Sequence, residues 1–96
     1  MALATTPFDP AEYLTDAESI EEYLRSAFES EEVAVIADAL GVVARARGMS
    51  ALAGDTGFSR QSLYKALNKD GNPELGTIMK IAHALGFRLT AERLPA

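Results

Sequence analysis

Apolar residues recur at three- and four-residue steps through most of the chain, the spacing that lines one face of an α-helix. A first helix is predicted to begin at Thr15, which has capping-box spacing to Glu18. A second is predicted to be capped by Ser30 and to end before Gly48. The apolar stripes of these two helices are Ile20, Tyr23, Leu24, Ala27 and Phe28, then Val33, Ile36, Ala37, Leu40, Val43 and Ala44.

Three shorter helices are predicted to follow. The third covers Met49–Thr56, with Ser50 as its N-cap, and stops at Gly57. Ser59 caps the fourth, which runs to residue 67 or 68, and the fifth covers about residues 74–85. The apolar face of the fifth helix comprises Leu75, Ile78, Ile81, Ala82 and Leu85, and Gly86 stops it.

Both ends of the chain differ from this helical pattern. Residues 1–14 contain Pro7 and Pro10 and are predicted to form an irregular arm, which leaves residues 15–96 as the folded domain. Residues 87–94 alternate apolar and polar side chains, as a strand does. A lone strand needs a partner, so we expect a second copy of the chain to pair there. The expected dimerisation residues are Phe87, Leu89 and Ala91.

The segment from residue 49 to residue 68 has the spacing of a helix-turn-helix. Ala53 is small enough for two helices to meet, and Gly57 accepts the positive φ of a tight turn. The apolar underside is predicted to be Leu52, Phe58, Leu63 and Leu67. The opposite face offers arginine and glutamine, which grip guanine and adenine bidentately, and lysine for phosphates. The predicted DNA-binding residues are Ser59, Arg60, Gln61, Ser62, Tyr64, Lys65, Asn68 and Lys69.

Charge is distributed unevenly along the chain, whose net charge is -5. Residues 1–44 contain ten acidic residues and one basic residue, a net charge of -9. Residues 45–96 contain eight basic and four acidic residues, a net charge of +4. This asymmetry indicates two partners of opposite charge, although acidic helix faces are also common as merely solvated surface.

Several segments, taken in order, resemble the HigA-like addiction-module antidote proteins, which are helix-turn-helix antitoxins of the lambda-repressor (XRE) class. The resemblance rests on residues 8–9, 12–14, 19–24, 44–50, 59–67, 71–74 and 84–89. It implies an all-α, five-helix lambda-repressor-like fold with a short C-terminal β-strand. It also implies an operon repressed by this protein and a basic toxin of the RelE/HigB-like class, a ribosome-dependent mRNA interferase. Thr56 departs from the class, which usually has an apolar residue there, and it is expected to expose or distort the joint slightly.

A toxin would be attracted by the acidic half of the chain. The predicted toxin-binding residues are Phe8, Tyr13, Leu14, Ile20 and Tyr23. For Tyr23 the competing interpretation is core packing of the first helix. A homodimer would place two copies of the fourth helix in successive major grooves, about 34 Å apart, so that the operator is an inverted repeat.

Other function classes find little support. The chain has no cysteine and a single histidine, His83, so no metal site, cofactor or catalytic constellation is expected. Neither a membrane-length apolar run nor a secretion signal is present, and a cysteine-free chain fits the cytoplasm. Two alternatives remain open: a free-standing XRE-type repressor without a toxin, and a protein-binding module that no longer engages DNA.

Overall fold

The helical periodicity of the sequence is realised as five α-helices in a computed structural model, which describes residues 9–96. A single 3-10 turn at Pro10–Tyr13 precedes them. The helices are α1 (Ala17–Glu29), α2 (Val33–Arg47), α3 (Met49–Thr56), α4 (Arg60–Ala66) and α5 (Leu75–Ala84). The prediction of an all-helical chain with five helices is therefore confirmed for the part of the chain that the structure describes.

Helix α2 is the centre of the fold. Its residues 39–44 are all buried, because α1 packs on one side of it while α3 and α4 pack on others. Leu40 and Ala44 have no exposed surface, and Ile81 of α5 is equally buried. The core joins these residues to Leu24 of α1 and Leu63 of α4. One apolar cluster thus fixes α4 relative to every other helix.

Helix α4 approaches α2 so closely that only glycine fits between them. A Cβ added to Gly41, in the middle of α2, would overlap the carbonyl oxygen of Leu67. Leu67 is the C-cap of α4 and is itself buried. The helical pattern of α2 gave no indication of this contact, because it depends on Leu67, which lies 26 residues further along the chain.

The helix boundaries differ from prediction at three caps. Asp16, not Thr15, caps α1: its carboxylate accepts the N–H of Ser19 at 2.7 Å, which lowers its pKa. Ser30 stays with α1, donating to the carbonyl of Ala27 at 2.6 Å, and α2 begins after Glu32 without a side-chain cap. Ser50 lies inside α3, whose N-cap is Gly48. A capping side chain can reach only the first turn of its own helix. A shift of one or two residues in where the helix begins therefore changes which residue is its N-cap.

Two residues assigned to apolar stripes are instead exposed. Val33 is 53% exposed and Leu75 is 66% exposed. Each is the first residue of its helix, so it projects beyond the neighbouring helix on which the later turns pack. The remaining stripe positions of α2 and α5 are buried or half-buried, as predicted.

The predicted C-terminal strand is absent from the described residues. Helix α5 ends at Leu85 in a Schellman motif, in which Gly86 (φ 94°) donates to His83 O at 3.0 Å and Phe87 donates to Ala82 O at 2.8 Å. Residues 87–96 then form neither helix nor strand. A single copy offers no neighbouring strand with which their backbone groups could pair, so the alternating pattern alone does not produce a strand.

The arm, predicted to be irregular, contains the 3-10 turn and lies against α2. Asp9 accepts a hydrogen bond from Arg45 at 3.0 Å, and this contact is the main reason that the pKa of Asp9 is lowered. Leu14 packs against the core from the same side. The arm is therefore attached to the domain from Asp9 onward, while Phe8 lies outside the described residues.

Candidate functional site

The segment between α3 and α4 forms the tight turn that the sequence predicted. Gly57 has φ 81° and ψ -1°, and its N–H donates to Ala53 O at 2.9 Å, which closes α3. This left-handed conformation is one that glycine adopts without steric cost. Ser59 then caps α4, because its Oγ accepts the N–H of Ser62 at 3.0 Å. The direction in which α4 leaves the turn is thus fixed at both ends of the turn.

Thr56 does not disturb this joint, contrary to expectation. Its side chain is buried, and its hydroxyl donates to Leu52 O at 2.8 Å and accepts the N–H of Phe58 at 3.2 Å. The hydroxyl therefore supplies a hydrogen-bond acceptor to a backbone group of the turn that an apolar side chain would leave unpaired.

Replacing Thr56 with valine should lower the free energy of unfolding by about 1 kcal/mol, because the N–H of Phe58 loses its acceptor while the side-chain volume stays nearly constant. Urea denaturation measures the change. The matched control is Thr15→Val, at an exposed position that should leave stability within a few tenths of a kcal/mol. A Thr56→Val protein as stable as the parent would show that the hydroxyl does not hold the turn.

The two faces of α4 are as predicted. On the inner face Leu52, Leu63 and Leu67 are at most 4% exposed, and Phe58 packs against the same cluster. On the outer face five side chains of α4 are exposed to solvent, and among them Tyr64 is 48% exposed. These five are Arg60, Gln61, Ser62, Tyr64 and Lys65.

The positive charges of this face are not neutralised from within the protein. Neither Arg60 nor Lys65 forms an ion pair with a carboxylate of residues 9–96, where the paired cations are Arg25 and Arg45. Lys80 of α5 likewise has no ion pair within residues 9–96, and its ammonium lies 5.2 Å from the centre of the ring of Phe58, in the turn that precedes α4. Sequence reasoning missed Lys80, because no local spacing relates α5 to the start of α4.

Asn68 and Lys69 stand apart from this outer face. The Asn68 amide donates to Tyr64 O at 2.7 Å and to Lys65 O at 3.1 Å, and its oxygen accepts the N–H of Asp70 at 2.8 Å. Asn68 therefore closes the end of α4 and is half-buried. Lys69 follows α4 and lines a groove of about 440 Å³ between α1 and α2.

The candidate toxin-binding residues are exposed to different degrees. Tyr13 is 67% exposed, whereas Leu14, Ile20 and Tyr23 are half-buried and pack against the core. Burial raises the pKa of the Tyr23 hydroxyl. The apolar stripe of α1 is thus largely used for packing, and the surface that α1 offers to solvent is acidic. Its exposed carboxylates are Glu18, Glu21, Glu22 and Glu29.

Residues 9–96 contain neither a cluster of metal-ligating side chains nor a membrane-spanning helix. No three histidine, aspartate or glutamate side chains of that segment come together as metal ligands would. No helix in the same segment has both the length and the apolar character needed to cross a bilayer.

Comparison with known proteins gives a consistent result. The family model described as "Probable addiction module antidote protein" matches residues 4–93. An uncharacterised protein of Haemophilus influenzae is 44% identical over 86 residues, which cover 90% of this chain and 89% of the relative. No solved structure matches the chain. The matched residues include the arm, the acidic helix α1 and the outer face of α4. The chain therefore belongs to the family of addiction module antidote proteins, which are antitoxins and whose description implies a toxin as partner.

Proposed function

We propose that this protein is the antitoxin of a type II toxin–antitoxin module and that it represses its own operon by binding an operator in double-stranded DNA. The observation that carries the DNA half is the outer face of α4, on which Arg60, Gln61, Tyr64 and Lys65 are exposed and the two cations form no ion pair within residues 9–96. Membership of the antidote family supports the toxin half.

In this proposal residues 15–96, with all five helices, form a lambda-repressor-like helix-turn-helix domain of the XRE class, with α4 as recognition helix. Arg60 and Gln61, in the first turn of α4, would read base edges in the major groove, as arginine reads guanine and glutamine reads adenine. Lys65 and Lys80 would neutralise phosphates on either side. The hydrogen bonds at Gly57 and Ser59 support this role, because a recognition helix must be held rigidly to discriminate between bases.

DNA reading by so short a helix calls for two copies. A single seven-residue helix reaches only a few base pairs, so we propose a homodimer that places two α4 helices in successive major grooves, about 34 Å apart. The operator is then an inverted repeat. The C-terminal residues Phe87, Leu89 and Ala91 are proposed as part of the dimer interface, since the backbone beyond Phe87 forms no hydrogen bond with the rest of residues 9–96.

The toxin is proposed to be a small basic mRNA interferase of the RelE/HigB-like class that works in the cytoplasm. The acidic surface of α1 would attract it and cover the surface with which it binds RNA. Tyr13, which stands exposed beside that surface, is proposed as an apolar anchor of the contact. Phe8 remains a prediction in the same role, and half-buried Leu14, Ile20 and Tyr23 would contribute only their exposed edges.

The direct test is DNase footprinting of the purified protein on DNA from upstream of its own reading frame, with co-purification of the neighbouring gene product. The expected result is protection of an inverted repeat together with a stable complex containing a basic protein of about 100 residues. Protection without any such complex would favour the alternative, a free-standing XRE-type repressor. A stable complex without protection, even at low salt, would leave a protein-binding module that does not engage DNA.

Two exposed tyrosines separate the proposed surfaces. Tyr13→Ala should weaken toxin binding about tenfold and leave operator affinity unchanged, because a buried aromatic anchor typically contributes more than 1 kcal/mol to an interface. Tyr64→Ala should do the reverse. Calorimetric titration of each variant with toxin and with operator DNA measures both effects. Loss of both affinities in either variant would indicate a general folding defect, and a loss on the opposite surface would exchange the two assignments.

A further inference from the structure

The C-terminal segment begins from a fixed position and then lacks hydrogen-bond partners. The N–H of Phe87 donates to Ala82 O at 2.8 Å, and the Phe87 ring packs against the core. From residue 88 to residue 96 no backbone group forms a hydrogen bond with any other part of residues 9–96. Such a row of unpaired donors and acceptors is a template for pairing with another chain.

Exposure alternates with a period of two over the first four residues of this segment, 87–90. Phe87 and Leu89 are half-buried, whereas Arg88 and Thr90 are exposed. This is the alternation of a strand that lies with one side against the protein body. Phe87 and Leu89 therefore face the helices and Arg88 and Thr90 face solvent, while residues 91–96 are all exposed in a single copy.

We propose that the C-terminal segments of two copies pair as an antiparallel ribbon. Its two-fold axis passes between Thr90 and the partner's Thr90, which lie opposite each other. Arg88 then lies directly opposite Glu92 of the partner subunit, and Glu92 opposite the partner's Arg88. Leu89 lies opposite the partner's Ala91 on the inner face. This register rests on the homodimer of the proposed function and specifies how the C-terminal residues of the two copies pair, which that proposal leaves open.

The side chains favour this register over the adjacent ones. Only registers that bring even-numbered residues opposite even-numbered ones keep the apolar side chains of both copies on the inner face. Centred on Thr90, the pairing joins threonine to threonine and two oppositely charged pairs, all of which stabilise antiparallel strands. An axis at Ala91 places Arg88 opposite the partner's Leu94, and an axis at Leu89 leaves Glu92 beyond the paired residues. A parallel ribbon would place Arg88 opposite the partner's Arg88.

The hydrogen bond of Phe87 independently identifies which residues can bond across the interface. In an antiparallel pair, alternate residues exchange both backbone hydrogen bonds with the residue opposite. The N–H of Phe87 is already used within its own chain, so the odd-numbered residues cannot be the bonding set. Arg88, Thr90 and Glu92 must then donate and accept across the interface, and their backbone groups are unpaired within residues 9–96.

Single cysteines test the position of the axis, since the chain has no cysteine of its own. Under mild oxidation Thr90→Cys should crosslink two copies nearly completely, because directly opposite bonding residues have Cα atoms about 5.5 Å apart, within disulfide range. Leu89→Cys and Ala91→Cys should not crosslink. In this register each cysteine lies diagonally across from the same cysteine of the partner, displaced by two residues, at a distance of about 7–8 Å. Crosslinking at 89 or 91 in place of 90, or equally at all three, overturns the register.

Charge reversal provides a second, non-covalent test. Arg88→Glu should weaken the dimer by about tenfold or more, because it places like charges opposite each other twice. Adding Glu92→Arg to the same chain should restore the dimer to within a few-fold. The matched control is Arg93→Glu, which changes the net charge equally and has no acidic residue opposite it. Failure of the double variant to recover would contradict the pairing.

Sedimentation of the unmodified chain distinguishes failure of this register from failure of the proposed function. A chain that sediments as a dimer but crosslinks at none of the three positions has its interface elsewhere, which overturns the register alone. A chain that sediments as a monomer at the concentrations where it protects its operator overturns the homodimer itself, and the register with it.

Discussion

Gly41→Ala should lower the free energy of unfolding by about 1–3 kcal/mol or more, although alanine is the better helix former. The added Cβ would overlap the carbonyl oxygen of Leu67. That oxygen belongs to the backbone at the end of α4, where the Leu67 N–H bonds to Leu63 O at 2.9 Å, so it cannot rotate away as a side chain would. Helix α4 must therefore move away from α2, and the core contacts of Leu63 and Leu67 are weakened.

Gly54→Ala is the matched control, because it makes the same substitution inside helix α3. Gly54 is exposed, and an added Cβ there would meet nothing within 4 Å. Helix propensity alone then applies, and the variant should be more stable than the parent by about 0.5–1 kcal/mol. Urea denaturation of both variants gives the comparison. Equal stabilisation at the two sites would show that α2 and α4 are not in close contact at Gly41.

Gly41→Ala also bears on function, because Gly41 sets the position of α4. Under conditions in which the variant remains folded, it should bind the operator more weakly than the parent, while Gly54→Ala should not. The far face of α4 carries the proposed base-reading residues, and a displacement of about 1 Å is enough to disturb such contacts.

What the sequence predicted well is determined within a few residues along the chain. The bounds of α3, the positive φ of Gly57 and the cap at Ser59 were all predicted, because each depends on a local preference: a left-handed turn, a serine oxygen, an apolar period. The inner face of α4 follows from the same period. The helix pair that carries the proposed DNA contacts was therefore predictable almost residue by residue.

What could not be predicted depends on contacts between distant parts of the chain. The link between Asp9 and Arg45 spans 36 residues, and the contact of Lys80 with Phe58 joins α5 to the turn between α3 and α4. The exposure of Leu75 depends on where α5 ends its contact with α3. The prediction of a strand at residues 87–94 was wrong for a different reason. The alternating pattern is local, but a strand forms only where a partner backbone is available.

A net charge of -5 does not conflict with DNA binding by this chain. Affinity for phosphates depends on the charges close to them, because salt screens charges beyond about 8–10 Å. The acidic residues are concentrated in α1 and the arm, and within residues 9–96 the bases Arg60, Lys65 and Lys80 are free of ion pairs. One small domain can in this way present a basic surface to DNA and an acidic one to a basic toxin.

The most direct test of the DNA proposal is Arg60→Ala, which should weaken operator binding by about 1–3 kcal/mol, or roughly 5- to 150-fold. Arg60 is the first residue of α4, exposed and without an ion pair in the described chain, so alanine should leave the fold intact. A bidentate arginine reads one base. The loss of affinity should therefore appear only with operators that carry the preferred base at one position in each half-site, and not with operators in which that base has been changed.

Lys65→Ala supplies the contrast that separates base reading from general attraction. A lysine on a phosphate contributes equally to every sequence, so this variant should bind operator and unrelated DNA more weakly by the same factor. The slope of log K against log salt should become less steep by about one unit. Fluorescence anisotropy over a series of salt concentrations, with single-base operator variants, measures both properties. If Arg60→Ala instead produced the uniform loss and Lys65→Ala the base-specific one, the orientation of α4 in the groove would be reversed from that proposed here.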